Sequence, residues 1–156
     1  MYEATIKKRE NGTLNDYKEN ALLTQEIIDQ IGEQHDLEIK NVYKNIYLTY
    51  NKKIIEFDVL IEAETYTERK RWISVELKDN DVTKVISQAM ARRDFVDYSY
   101  VVLNSDVKWI VQYLFYVWSE YVKKYKIGFF SNDTFILYSK YIKSQIKINL
   151  EENSKS

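Results

Sequence analysis

Three side chains are spaced to do chemistry together: Asp58, Glu76 and Lys78. Glu76 and Lys78 close the run Arg71-Trp72-Ile73-Ser74-Val75-Glu76-Leu77-Lys78. Ile73, Val75 and Leu77 alternate with Ser74, Glu76 and Lys78, the period-two pattern of a strand with one apolar face. A carboxylate and an ammonium two residues apart project from the same side of such a strand. Asp58 lies in the middle of a second strand-like run, Ile54 to Ile61. An Asp on one strand and Glu-x-Lys on the next form a compact holder for a hard divalent cation beside a lysine. The plain alternative is a surface ion pair, worth about 0–1 kcal/mol.

Composition narrows the chemistry. The chain has no Cys and a single His, His35, so thiolate sites, His-rich zinc sites and most His-dependent triads are excluded. Any metal must be held by oxygen, which favours Mg²⁺ or Mn²⁺. With no Pro and only 3 Gly, phosphate-cradling glycine loops are not available. A net charge of −1 carries no global basic signal, so a nucleic-acid surface has to be local. No run of about 18 apolar residues suggests a membrane span, and the charged N-terminal stretch lacks the apolar region of a secretion signal. Lack of Cys makes the cytoplasm the expected compartment.

The elements that must position these residues follow in order. Met1 to Asn15 reads as a peripheral strand or arm reaching a turn at Asn11-Gly12. Asp16 to Gly32 reads as a helix, from Leu23, Ile27 and Ile31, with Asn15 or Asp16 as cap and Gly32 as stop. Leu37–Tyr50 and Ile54–Glu64 read as a hairpin turning at Asn51-Lys52-Lys53, its first strand bulged or bent. Arg71–Lys78 is the third strand. Asp81 caps a helix over Val82–Val96, and Ser99–Leu103 is a short buried strand parallel to the third. Asp106–Lys124 is a long helix whose aromatic stripe is read as core, its surplus rings offering a dimer interface. Ile127–Phe130 and Thr134–Tyr138 form a closing hairpin, and Tyr141–Asn149 is strand or helix. Residues 1–150 make one domain and 151–156 a frayed tail. The fold class is α/β, a mixed β-sheet flanked by helices.

This order, with Asp58 on the second strand and Glu76-Leu77-Lys78 closing the third, resembles the PD-(D/E)xK nuclease superfamily. That superfamily includes restriction-endonuclease-like and Holliday-junction-resolvase-like enzymes. The resemblance covers roughly residues 16 to 103, and Phe57 stands where the name-giving Pro would be. It implies a restriction-endonuclease-like core of helix, three strands, helix and strand, extended by a helix and hairpin. It implies Mg²⁺ or Mn²⁺ on Asp58, Glu76 and the backbone carbonyl of Leu77, with Lys78 as the catalytic lysine. It further implies a helical acid, Glu19 or Glu26 with Glu19 preferred, and a helical glutamine, Gln88. The implied activity is endonucleolytic hydrolysis of DNA. The small size, with no added recognition domain, points to structure-selective cutting of branched DNA or to weakly selective cutting, and a homodimer would place two sites on two strands. The alternative is a nuclease-like fold that binds nucleic acid without cutting it; RNA is a further possible substrate.

Basic residues supply candidate phosphate contacts: Lys84, Arg92 and Arg93 on the crossover helix, and Arg69, Lys70 and Arg71 at a strand start. Solvated faces and turns explain the same residues, including Lys52 and Lys53. Glu56 and Glu62 share the strand face of Asp58 and are read as solvated at an edge. His35 is read as a surface or capping residue.

Overall fold

A computed structural model of the chain describes residues 2–8, 21–79 and 81–150. The turn at Asn11-Gly12, the caps Asn15 and Asp16, the acid Glu19 and the tail 151–156 lie outside them. The described elements are β1 (Tyr2–Lys8), α1 (Gln25–Gln34), β2 (Leu37–Tyr50), β3 (Lys53–Thr65), β4 (Lys70–Lys78) and α2 (Val82–Arg92). A 3₁₀ turn (Arg93–Phe95) leads to β5 (Tyr98–Leu103). A helix follows as α3 (Val107–Tyr113), a π-turn (Leu114–Trp118) and α4 (Ser119–Tyr125). Strands β6 (Ile127–Ser131), β7 (Thr134–Leu137) and β8 (Ile146–Leu150) complete it.

The described strands form one mixed sheet in the order β7-β6-β5-β4-β3-β2-β1-β8. β4, β5 and β6 run parallel, as a helical crossover between neighbours demands. The Asn51-Lys52 turn takes two left-handed residues (φ 49° and 62°), the backbone of a tight hairpin. The expected α/β class with a mixed sheet is what the chain forms.

Alternation along β4 decides which side each residue serves. Ile73, Val75 and Leu77 join α1's Ile27 and Ile31 in one core layer. On the opposite face, Val85, Ile86 and Ala89 of α2 pack on Val101 and Leu103, with Ile110, Leu114 and Val122 beside them. Trp72, Leu60 and Phe57 pack with Ala4, Ile6, Ile146 and Ile148 in a third cluster. That cluster joins the first and last strands to the base of the 3₁₀ turn.

Several expectations need correction. Of the helix expected over 16–32, residues 21–24 are not helical; the described helix begins at Gln25, where Thr24 accepts the Ile27 N–H at 3.3 Å and so caps it. The helix runs past Gly32. A Cβ there would lie 3.2 Å from the Leu37 carbonyl, so the glycine allows close approach to β2 and does not stop the helix. The aromatic stripe is largely outside the core: Phe115 is 76 % and Tyr116 85 % exposed. Only Ile110, Leu114 and Val122 of that helix are buried, so most of its rings have no sheet beneath them. After β7 the chain crosses under the sheet in extended form. The Ile142 and Gln145 N–H groups donate to the carbonyls of Asp97 (3.1 Å) and Asp94 (2.8 Å). Among the described residues no helix is long and apolar enough to cross a membrane.

Candidate functional site

The site forms where β3 leaves β4. The two strands pair from Glu64–Lys70 to Val59–Val75, and there the ladder ends. β4 continues beside β5 as far as Lys78–Leu103, so Glu76, Leu77 and Lys78 are held from one side only. An unusual backbone conformation lies beside the divergence. In β2, Asn45 takes a left-handed conformation (φ 50°) between the pairs Lys44–Val59 and Ile46–Phe57, opposite Asp58. The inward face of β3 changes across the same point: Phe57 packs in the third cluster and Val59 in the first. Asp58 therefore sits at a corner of the sheet.

At this fork the backbone of Leu77 has lost its strand neighbour. Asp58 takes over: its Oδ2 accepts the Leu77 N–H at 2.9 Å. A strand residue directs its N–H and C=O toward the same neighbour, so the Leu77 carbonyl lies on the same vacated edge. Lys78 directs its carbonyl the other way, where it accepts the Asn104 N–H at 3.1 Å.

Glu76 is 1 % exposed. Burial pushes its carboxyl well above the usual range, and the adjacent Asp58 carboxylate pushes it further, while Arg92 pulls in the opposite direction. The Arg92 Nε is 3.4 Å from Glu76 Oε1, and that oxygen accepts no hydrogen bond. Burial of Glu76, with the Asp58 charge beside it, outweighs this ion pair.

Arg92 is the residue whose place here the sequence did not suggest. It donates to the Glu56 carbonyl and, through Nη1, to the Gln88 carbonyl at 3.0 Å. Its guanidinium lies 5.7 Å from the Phe57 ring centroid. It thus clamps the departing β3 to α2 and faces the buried acid, which limits its use as a free phosphate contact. Gln88 is half-buried, one turn before Arg92 on the same side of α2. Lys78 is half-buried at the strand end, on the face of Glu76.

Other expected residues lie elsewhere. Glu26 is exposed on α1, which packs on the opposite face of the sheet. Lys84 is exposed near the start of α2. Arg93 is 3 % exposed and cannot meet a phosphate. It donates to four carbonyls, those of Tyr125 (2.7 Å), Val96 (3.0 Å), Asp97 (3.1 Å) and Lys140 (2.8 Å). Burial lowers its pKa to about 10, which leaves it charged at neutral pH. Arg69 precedes β4, and Lys70 and Arg71 begin it; even Arg71, the nearest, is roughly 17 Å along the strand from Glu76 at about 3.3 Å per residue. Lys70 is paired with Glu62 at 2.8 Å, and Arg71 lies 4.8 Å from the Tyr141 ring centroid. Glu62 is 6 % exposed, not solvated as expected. His35 does cap α1, but half-buried, with Nε2 2.6 Å from the Tyr100 hydroxyl.

The fold thus brings together Asp58, Glu76, the edge of Leu77 and, on the same face, Lys78. Arg92 and Gln88 border them. Among the described residues no group of three or more His, Asp or Glu side chains converges as a metal site. Compared with family models, curated proteins and solved structures, the chain matches none.

Proposed function

We propose that this chain is a metal-dependent endonuclease that hydrolyses phosphodiester bonds of DNA, with a restriction-endonuclease-like core. The observation that carries the reading is the fork: two carboxylates and a backbone edge without a strand neighbour meet where one strand leaves another, with a lysine on the same face. Two carboxylates and a carbonyl are hard oxygen donors, suited to Mg²⁺ or Mn²⁺. The buried, unsatisfied Oε1 of Glu76 is the kind of acceptor that such an ion would complete. Asp58, Glu76 and the Leu77 carbonyl would hold the ion. When bound, it supplies charge neutralisation at the phosphoryl group and a more acidic water.

The chain's own residues do the rest. Asp58 keeps Leu77 in register through its N–H, which aims the carbonyl at the same point. Lys78 donates to the attacking water or to a phosphoryl oxygen, where negative charge grows in the transition state. Arg92 holds the fork open and lowers the cost of the buried charge on Glu76. Branched DNA as preferred substrate, a homodimer that presents two sites to two strands, and an intracellular setting are parts of the same proposal.

The test is incubation of the purified chain with duplex, single-stranded and branched DNA in Mg²⁺ or Mn²⁺. Cleavage is expected, and Asp58→Ala and Lys78→Ala should each lower it by at least about 100-fold. Absence of cleavage by the wild type, or full activity in both variants, refutes the reading. Light scattering that finds only monomer removes the dimer.

One observation favours a second reading, a nucleic-acid-binding module that does not cut. Arg92 already faces Glu76 and Asp58 already satisfies Leu77, so the acids have partners without a cation. Calorimetry with Mn²⁺ separates the two. Binding that Asp58→Asn abolishes supports the nuclease; no binding, with salt-dependent DNA affinity retained, supports the module.

A further inference from the structure

The helix after β5 carries more apolar surface than the sheet covers. Its π-turn, Leu114–Trp118, widens the helix by one residue and leaves Phe115, Tyr116 and Val117 exposed at 76 %, 85 % and 55 %. Beside this turn is a cavity of about 490 Å³, between the helix, the start of β6 and the end of β7. Leu114, Val122 and Ile127, all buried, form its floor. Phe115, Leu137 and Tyr138 form its walls, and Tyr138 is fixed by stacking on Phe135 at 3.9 Å between centroids. The volume falls within the roughly 300–1,000 Å³ typical of small-ligand pockets.

The rim has one sign of charge. Lys123, Lys126 and Lys140 border the cavity, and no acid lines it. Their backbones are anchored. The Lys140 N–H donates to the Lys126 carbonyl at 3.2 Å. Arg93 reaches from behind to the carbonyls of Tyr125 (2.7 Å) and Lys140 (2.8 Å). Three lysines bordering an apolar floor favour a ligand with an apolar body and an anionic head.

We propose that this cavity binds a small amphipathic acid, its apolar body on Leu114, Val122 and Ile127 and its anionic head among the three lysines. The site lies on the α2 side of the sheet toward the β7 edge, away from the fork of β3 and β4, and does not depend on the nuclease reading. A second copy of the chain fits less well. A two-fold dimer through this patch would bring two such lysine clusters, with no acid lining either cavity, into one interface.

Decanoate is the probe, with decyltrimethylammonium as the charge control, both below their micelle concentrations. Calorimetry should show one decanoate per chain and much weaker binding of the cation. The variant K123Q/K126Q/K140Q should bind decanoate roughly tenfold more weakly, three exposed ion pairs being lost. Ser119→Trp, which fills the cavity mouth, should abolish binding, with thermal melts reporting that both variants fold. The proposal fails if decanoate does not bind, if the triple variant binds it equally, or if the cation binds as tightly. It also fails if sedimentation shows a dimer that Phe115→Glu dissociates, since the face then belongs to a second copy.

Discussion

Among the described residues two glutamates are buried in this sheet, Glu62 and Glu76, and their surroundings differ. Glu62 is fully served. It accepts from Lys70 Nζ at 2.8 Å, Asn41 Nδ2 at 2.8 Å and the Tyr43 hydroxyl at 3.5 Å. Burial alone would raise its pKa, but these hydrogen bonds and the Lys70 charge outweigh burial and hold it below the usual range. Glu76 has Arg92 at 3.4 Å, a second carboxylate beside it and an oxygen with no hydrogen bond, and its pKa rises. A buried acid with a complete set of partners stabilises the fold. One left incomplete at a strand fork costs stability, and under the proposed reading its unsatisfied oxygen is where a cation would bind.

Exchanging the two residues gives the sharpest test. Glu76→Gln should lower metal-dependent cleavage by at least about 100-fold, whereas Glu62→Gln should leave it within about threefold, in single-turnover assays. Equal losses would erase the distinction. Stability should show the reverse order. Glu62→Ala should destabilise by about 1–3 kcal/mol in urea melts, since Asn41 and Lys70 lose their acceptor. Glu76→Gln should melt no lower than wild type without metal.

Acid titration extends the comparison to a third partly buried group. Burial lowers the His35 pKa from 6.5 to about 4, so the unfolded chain takes up a proton there first. Its contribution is complete above the unfolded value, falls as pH drops toward about 4, and is constant below that. Glu62, with a lowered pKa, loses its contribution only as pH falls below the ordinary carboxylate value of 4.5. His35→Phe should therefore flatten the upper part of the acid limb, by about 1–2 kcal/mol after allowance for partial exposure, and leave the lower part in place. An unchanged upper limb would show that His35 titrates normally.

What was legible in the sequence is what local periodicity encodes. The alternation of Ile73, Val75 and Leu77 with Ser74, Glu76 and Lys78 located β4 and its faces. Asn51-Lys52 marked the hairpin, and Asp81 caps α2 as read, accepting the Lys84 N–H at 3.0 Å. What was hidden depends on residues distant in sequence. Nothing local distinguishes Arg92 from Arg93, yet one faces Glu76 and the other is sealed behind four carbonyls. Glu62 looked solvated because its partners, Asn41 and Lys70, lie on two other strands. The aromatic helix was misread because amphipathic spacing shows that a helix has an apolar face, not how much of that face a sheet will cover. The acid Glu19 belongs to residues outside those described.

The parallel pairing of β8 with β1 has a consequence for how the molecule is made. Ile146 and Ile148 complete the same cluster as Ala4 and Ile6, so strands from the two ends of the sequence finish one layer of core. While the chain emerges, β1 can join the β2–β3 hairpin, but among the described strands its outer edge is paired only by β8, which is synthesised last of them. Such distant contacts come late and slow folding. The interval leaves an unpaired strand edge beside an unfinished apolar layer, so association of nascent chains is expected to begin there.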